Sequence, residues 1–530
     1  MFIKNHSIYL LSVLLVLSCT SESEKLESAL QSISVQDIQA RIETLASDDF
    51  AGRAPSTPGE VKTINYLAQQ FKEIGLKPGN GESYFQEVSL IKIYADKSMV
   101  FNISNGKKKL SPEFAKEFIG GTPQIGDYIM VDNSEIVFVG YGINAPEYGW
   151  NDYEGLDVKG KTVLMLINDP GYATSDSTLF EGRTMSLYGR WTYKFEEAAR
   201  QGATAAIIIH ETGAAAYPWG VVQNSWYDSK LYLEDNMFLK SDLQLQSWVT
   251  TECAQKLFDL AGVNYNEISV SASKRGFKPV KMNVTASVSI KNKVEYAKSN
   301  NVAAVWPGKD KSDEYLIYTA HWDHFGVNPA FEGDSVLNGA VDNATGTAAL
   351  LEIAEAFTKL AKQQDRSVLF LAVTCEEQGL LGSEFYAKNP LFPLEKTVGV
   401  VNIDALNILG KTKDMTITGM GKSNLDHYAV SVLEKYGRYA APDPMPEKGG
   451  YFRSDHISFV NAGVQALYLS RGVDNVEHGK KWGMEQTEKW IVENYHKPSD
   501  NYEPEKWDFE GMIEDLKIYF EVGYLISNAK

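Results

Sequence analysis

An α/β fold, in which helices cover both faces of a mostly parallel central sheet, is predicted from two features of this sequence. One is an amphipathic helical pattern with Leu350, Ile353 and Phe357 on a single face. The other is a set of short, nearly continuous apolar runs around that helix, which are typical of strands buried on both faces. These runs cover 315–320, 367–374, 398–403 and 464–469. Strands and helices that alternate in this way predict a three-layer sandwich.

The chain is long enough for two domains. Its 530 residues, 44% of them hydrophobic, exceed what one ordinary core accommodates. Residues 20–129 are interpreted as the N-terminal part of the main domain and 276–530 as its remainder. Between them, 130–275 consists largely of short β-type runs broken by turns, and it is predicted to pack separately as an inserted β-rich domain.

The segment 35–76 is predicted to be largely helical. In its second half apolar residues recur at three- and four-residue spacings, from Val61 to Ile74. Pro58 and Gly59 open this helix and Gly75 closes it.

Residues 1–19 have the features of an export signal. Lys4 precedes an apolar stretch at 8–17, which is too short to span a bilayer comfortably. The end of this stretch resembles a bacterial lipobox, in which cleavage before Cys19 leaves a thiol for lipidation; an ordinary signal peptide with an incidental cysteine is the alternative. We therefore expect an exported protein, lipid-anchored in a bacterial cell envelope (periplasm or outer membrane surface), with 20–25 as a polar tether.

Charge narrows the classes of partner. The formal net charge of −18 disfavours nucleic acid and anionic membrane surfaces, because a polyanion is repelled by an acidic protein. The N-terminal lipid is the one membrane contact that we expect.

Side chains that can bind metal follow three of the predicted strands. The carboxyl ends of parallel strands form the crevice in which an open α/β sheet binds its ligands. Asp342, where the amphipathic helix begins, and His496, in a loop far downstream, can reach the same rim. The side chains that follow the strands are His321 and Asp323, Glu376 and Glu377, and Asp404. Two histidines and three carboxylates can therefore converge on one site.

Imidazole and carboxylate ligands together suit zinc. With one carboxylate as a bridge, two ions could lie about 3.5 Å apart and share a hydroxide. Asp323, two residues beyond His321, can accept the second N–H of that imidazole and fix its tautomer. Because neighbouring side chains at a strand end point different ways, one of Glu376 and Glu377 can bind metal while the other takes a proton from the attacking water.

Several motifs together resemble those of the co-catalytic zinc exopeptidases of metallopeptidase family twenty-eight, in residue type and in order. The motifs are His321-Trp322-Asp323-His324, Gly339-Ala340-Val341-Asp342-Asn343, Cys375-Glu376-Glu377, Asn402-Ile403-Asp404, Ser454-Asp455-His456 and His496. The resemblance covers about 280–530 and the helical segment 40–80. It implies a zinc exopeptidase fold for the main domain. Segment 130–275 resembles the protease-associated (PA) domain that is inserted in many members of that family.

The resemblance also implies roles for individual residues. His321 and Asp404 would bind one zinc ion, Glu377 and His496 the other, and Asp342 would bridge the two. The general base would be Glu376. The Asp342–Asn343 peptide would be cis, and Tyr451 would help to hold the oxyanion, although a packed loop aromatic is an equal reading of that tyrosine.

These assignments predict a metallo-aminopeptidase that acts on peptides. A carboxypeptidase or dipeptidase of the same family stays open, because Arg453 and Lys448 could supply the cationic pocket that a terminal carboxylate needs. The alternative that is not an enzyme is a receptor-like ectodomain on an inactive peptidase fold. Such a domain would have lost its ligands, whereas all five and the base are present in this sequence.

Overall fold

The structure is a computed structural model that describes residues 22–227 and 229–530. The predicted export signal and Cys19 lie outside the described residues. The prediction of a polar tether over 20–25 is wrong from residue 22 onward, because the α-helix Glu22–Ser32 begins there. Leu26 and Ala29 of this helix are buried in the main core, so the helix packs against the main domain.

A mixed, mostly parallel sheet forms the centre of the main domain, as predicted. Its four inner strands are parallel and lie side by side in the order Arg366–Val373, Lys311–His321, Thr397–Asn402 and Ala466–Ser470. Antiparallel strands extend the sheet beyond Arg366–Val373, in the order Val280–Trp306, Phe85–Ala95 and Lys230–Leu233. On the other side Asp414–Ile417 pairs antiparallel with Ala466–Ser470, and Tyr439–Pro442 pairs parallel with Asp414–Ile417.

Helices cover both faces of this sheet, which makes the three layers. On one face the helix Thr345–Thr358 is buried along nearly its whole length beneath Val35–Leu45 and Phe509–Ser527. The other face is covered by the shorter helices Leu381–Lys388 and His456–Asn461. The remaining long helices are Pro58–Ile74, Trp191–Arg200, Trp219–Trp226, Thr251–Ala261, Tyr265–Ala272, Asp426–Lys435 and Gly479–Glu493. Within the described part of the chain, no helix combines the length and the apolar character needed to cross a membrane.

The predicted early helix is confirmed as Pro58–Ile74. Thr57 caps its first turn by accepting a hydrogen bond from the Gly59 N–H, and Gly75 ends it in the left-handed conformation, which glycine adopts without strain. Val61 lies on the solvent side with 56% exposure, so the buried stripe of this helix is narrower than its apolar spacing predicts.

A second core lies in the inserted region and is larger than predicted. Its buried residues extend from Met99 to Ile290, beyond both limits of 130–275. The sheet of this domain contains Val100–Ser104, Phe118–Gly121, Tyr128–Phe138, Thr162–Leu166, Ala205–His210, Leu245–Thr250 and the first half of Val280–Trp306. The strand Val280–Trp306 then continues into the main sheet and joins the two domains without a break.

Candidate metal centre

Asp342 lies at the centre of the candidate site. It precedes the helix Thr345–Thr358, in the turn Ala340–Ala344, and the Asp342–Asn343 peptide is cis, as predicted. The N–H groups of Val341 and Asp342 donate to the two carboxylate oxygens of Asp500, at 3.0 and 3.1 Å. These bonds fix the backbone of the turn from which the Asp342 side chain projects.

One oxygen of Asp342 faces a first cluster of donors. Oδ1 lies 3.4 Å from Nε2 of His321, which ends the strand Lys311–His321. The same Nε2 lies 3.5 Å from Oδ1 of Asp404, which follows the neighbouring strand Thr397–Asn402. Because these strands are adjacent and parallel, their carboxyl ends bring the two side chains together.

The other oxygen of Asp342 faces a second cluster. Oδ2 lies 3.5 Å from Nε2 of His496, and that nitrogen lies 3.1 Å from Oε2 of Glu377. Glu377 follows the strand Arg366–Val373, whereas His496 lies in the loop after the helix Gly479–Glu493. The two clusters contain the ligand pairs that the family resemblance implied, with Asp342 between them.

The spacing of these donor atoms fits zinc. Bonds of about 2.0–2.1 Å in tetrahedral geometry place neighbouring ligand atoms roughly 3.3–3.4 Å apart. Nε2 of His321 is shielded from solvent and has no hydrogen-bond partner, although two carboxylates surround it. His321, Asp342 and Glu377 each offer one ligand atom, and these three atoms lie within 4.8 Å of one another. The donor set and its geometry therefore suit divalent cations.

Asp323 occupies a different position from the one predicted. Nδ1 of His321 lies 3.1 Å from the backbone carbonyl of Asp323 but 3.9 Å from its carboxylate, so the carbonyl is the acceptor that fixes the tautomer. The carboxylate instead accepts the backbone N–H groups of Glu376 (3.0 Å) and Glu377 (3.4 Å). Asp323 therefore holds the turn that carries the predicted base and a predicted ligand.

Burial and neighbouring charges shift the pKa values of the two glutamates at the site. Although burial acts against ionisation, His496 lowers the pKa of Glu377 to about 2. Burial raises the pKa of Glu376 well above its ordinary range, and Glu377 and Asp404 act in the same direction. Glu376, Glu377 and His496 line one cavity of about 750 Å³, so the predicted base faces the space in which a substrate would bind.

Arg53 supports the site from behind, and the sequence interpretation did not single it out. Its guanidinium is fully buried and donates to four backbone carbonyls, those of Leu45, Trp322, Asn338 and Gly339. Trp322 follows the ligand His321, and Gly339 lies three residues before Asp342. Burial lowers the pKa of Arg53 to about 10, so the group stays charged at neutral pH.

His324, the last residue of the first motif, has a specific partner in the structure. Its Nδ1 lies 2.6 Å from Oε1 of Glu377, the oxygen opposite the one that faces His496. The Asn343 side chain links the turn at Asp342 to the loop of Asp404 by accepting the N–H of Ala405. The signal for both residues was their proximity in sequence to predicted ligands.

Tyr451 lies outside the set of residues that line the cavity. Its ring packs against His456, with centroids 5.1 Å apart, and lies close to Gly419. This position favours the packed-aromatic reading over a direct role at the oxyanion. Of the two predicted cationic residues, Arg453 lines the cavity and Lys448 does not.

The main domain is similar in sequence to known peptidases. Residues 301–520 match the family model described as Peptidase family M28. The chain is 30% identical over 196 residues to leupeptin-inactivating enzyme 1 of Streptomyces exfoliatus. The matched region covers 34% of this chain and 39% of that enzyme. The chain is 36% identical over 122 residues to aminopeptidase NAALADL1 of Mus musculus, covering 22% and 15%. The matched regions thus span less than half the length of these curated relatives.

Solved structures extend the likeness to both domains. An aminopeptidase from Aneurinibacillus sp. strain AM-1 superposes with a TM-score of 0.55 at 20% sequence identity, covering 94% of this chain and 95% of that one. A zinc aminopeptidase from Bacillus subtilis gives a TM-score of 0.50 at 19% identity, covering 93% and 95%. At these identities the superpositions establish a shared fold.

Proposed function

We propose that this protein is a zinc-dependent aminopeptidase that uses two metal ions to remove N-terminal residues from peptides, because residues 301–520 match the model of peptidase family M28. The observation that carries the proposal is the placement of Asp342. Its two oxygens face separate histidines, at 3.4 and 3.5 Å, and each histidine faces a further carboxylate. Two adjacent sites that share one carboxylate are the arrangement that a co-catalytic pair requires.

Zinc bound at these positions would supply Lewis acidity that polarises the scissile carbonyl and lowers the pKa of a water molecule. His321 and Asp404 would hold one ion and His496 and Glu377 the other. Glu376 would take a proton from the attacking water and return it to the leaving amine, since it faces the cavity beside the ligands.

Metal analysis tests the proposal directly. Protein purified without chelators should contain two equivalents of zinc, lose its hydrolysis of aminoacyl anilides on treatment with a chelator, and recover it when zinc is returned. Asp404→Ala should retain about one equivalent, because it removes a ligand of one site only, whereas Asp342→Ala should weaken both. Folded protein that binds no zinc and hydrolyses nothing would support the receptor-like alternative instead.

A carboxypeptidase or dipeptidase is the second candidate, and the position of Arg453 in the cavity favours keeping it. An aminopeptidase requires a free N-terminus, whereas a carboxypeptidase accepts a blocked one. Rates on a peptide and on its N-acetylated form therefore separate an aminopeptidase from a carboxypeptidase.

We also propose that the inserted region is a PA domain and that the mature protein is a lipoprotein of a bacterial envelope. The lipobox-like residues 16–19 support the second point. The wild type should incorporate radioactive palmitate. The variant Cys19→Ala should not incorporate it. An unlabelled, processed wild type would indicate an ordinary signal peptide.

A further inference from the structure

The cavity beside the candidate metal centre has walls from both domains. The main domain contributes Glu376, Glu377, Arg453 and Tyr495, and the inserted domain contributes Arg190, Tyr217 and Trp226 among others. Its volume of about 750 Å³ lies in the range of roughly 300–1,000 Å³ that is usual for small-ligand sites. The inserted domain therefore supplies part of the surface that a substrate would touch.

Two arginines in this cavity lack a salt-bridge partner among the described residues. Arg190 stands directly before the helix Trp191–Arg200, and its Nε is shielded from solvent without a hydrogen-bond partner. The guanidinium of Arg453 lies 4.9 Å from the centre of the Tyr217 ring and donates one long bond, of 3.5 Å, to the Ala215 carbonyl. Among the described residues, neither arginine forms an ion pair within 4.0 Å.

The two positive charges also act on each other. Burial lowers the pKa of Arg190 to about 10, and the charge of Arg453 adds to this effect. Like charges that share a partly buried wall repel each other, and a bound anion would offset that repulsion. Other cations of the cavity are already paired: Lys388 contacts Glu384 and Asp235, and Lys230 donates to the Ser225 carbonyl and lies over Trp226.

We propose that Arg190 and Arg453 form a binding subsite for a carboxylate of the substrate, so that the preferred substrates are short peptides with a carboxylate near the scissile bond. This inference rests on the proposed peptidase function. Guanidinium groups are suited to this ligand because their planar N–H donors match the two oxygens of a carboxylate. Glu376, the predicted base, lines the same cavity as both arginines, which places the subsite near the reacting bond.

The carboxylate could be the C-terminus of a dipeptide or an acidic side chain, and the substrates of the test distinguish these sources. For the zinc-loaded, full-length mature protein, kcat/KM is compared for alanyl-alanine and its C-terminal amide, and then for alanyl-glutamate amide and alanyl-glutamine amide. At least one charged member should be preferred by roughly 10- to 100-fold, the range expected for hydrogen bonds to a charged group. The pair that shows the preference identifies the source.

Substitution of the arginines should abolish the preference. Arg190→Gln and Arg453→Gln are each expected to bring the charged-to-neutral ratio close to one, mainly through KM. Arg183→Gln is the matched control, since Arg183 is an exposed arginine of the inserted domain outside the cavity, and it should keep the wild-type ratio. Thermal unfolding of each variant identifies any that are misfolded.

Two results would overturn the subsite. One is a wild-type ratio near one for both substrate pairs, which requires no variant and so cannot be confused with misfolding. The other is a preference that survives in both folded arginine variants. Failure of the proposed function is distinct, because the protein would then hydrolyse neither these peptides nor aminoacyl anilides with zinc present.

Discussion

Nδ1 of His324 lies 2.6 Å from Oε1 of Glu377, so one of the two oxygens of this predicted zinc ligand is held by a histidine. The second oxygen is thereby directed at His496, from which it is 3.1 Å away. Outer partners of this kind orient a ligand before the metal binds.

His324→Ala is expected to weaken zinc binding at one of the two sites by about 10- to 100-fold, because Glu377 loses the partner that orients it. Competition with a chromophoric chelator measures the affinity. His427→Ala serves as the control, since His427 is exposed and distant in sequence from the ligands. Equal zinc affinities in the two variants would show that the contact does not orient Glu377.

Glu376→Gln is expected to lower kcat by about 10²- to 10⁴-fold, the usual contribution of a positioned general base. The amide keeps the shape of the side chain but cannot accept the proton from water. Zinc content should stay at two equivalents, because Asp342 and the four predicted ligands around it are untouched. A variant with full activity on an aminoacyl anilide would remove Glu376 from the mechanism.

The centre of the fold and the candidate ligands at its strand ends could be predicted from the sequence for one physical reason, whereas the ligand roles of Asp342 and His496 came from the family resemblance. Parallel strands buried on both faces leave apolar runs, and polar residues that directly follow them must lie at a common edge. His321 and Asp404 follow this rule closely, and the register of their strands explains why they meet.

The domain boundary could not be predicted in the same way. The strand Val280–Trp306 passes from one sheet to the other without a turn, so no glycine or proline cluster marks the change. Lys230–Leu233, in the middle of the predicted insertion, pairs with the main sheet, and a short apolar strand has the same pattern in either sheet. Pairing partners are a property of tertiary structure.

Arg53 was missed for a related reason. Its partners are backbone carbonyls from three separate segments, and backbone groups leave no side-chain pattern in a sequence. The role of Tyr451 at the oxyanion stays a prediction from the family resemblance, and the packing of its ring against His456 favours the alternative of a packed loop aromatic.

Arg53→Lys is expected to lower the free energy of unfolding by roughly 2–4 kcal/mol, because buried carbonyls lose their donors. A lysine carries its three N–H donors on one atom and cannot reach all four carbonyls. Urea unfolding of the metal-free protein measures the effect without a contribution from zinc. Arg275→Lys, at an exposed arginine of the inserted domain, is the matched control and should change little. Equal stabilities of the two variants would contradict the supporting role of Arg53.

The stabilisation that zinc provides is expected to increase from pH 6.5 to pH 9. Although burial acts in the opposite direction, Glu377 and Asp342 raise the pKa of His496 to about 9 in the metal-free site. Burial likewise raises the pKa of Asp323 to about 8. A group whose pKa is raised on folding contributes stability that is fully present below its unfolded pKa, about 6.5 for histidine and 3.9 for aspartate. That stability is lost as the pH rises through the folded pKa.

The metal-free protein should therefore unfold at progressively lower temperature between pH 6.5 and pH 9. The zinc-loaded protein should not, because the ions replace protons as the positive charges among the carboxylates. Thermal unfolding at several pH values, with excess zinc and with a chelator, measures the gap between the two midpoints. A gap that stays constant or narrows with rising pH would mean that protons and zinc do not compete for His496 and its neighbours. In His496→Ala the widening should be reduced, because the histidine contribution is absent and only that of the carboxyl groups is left.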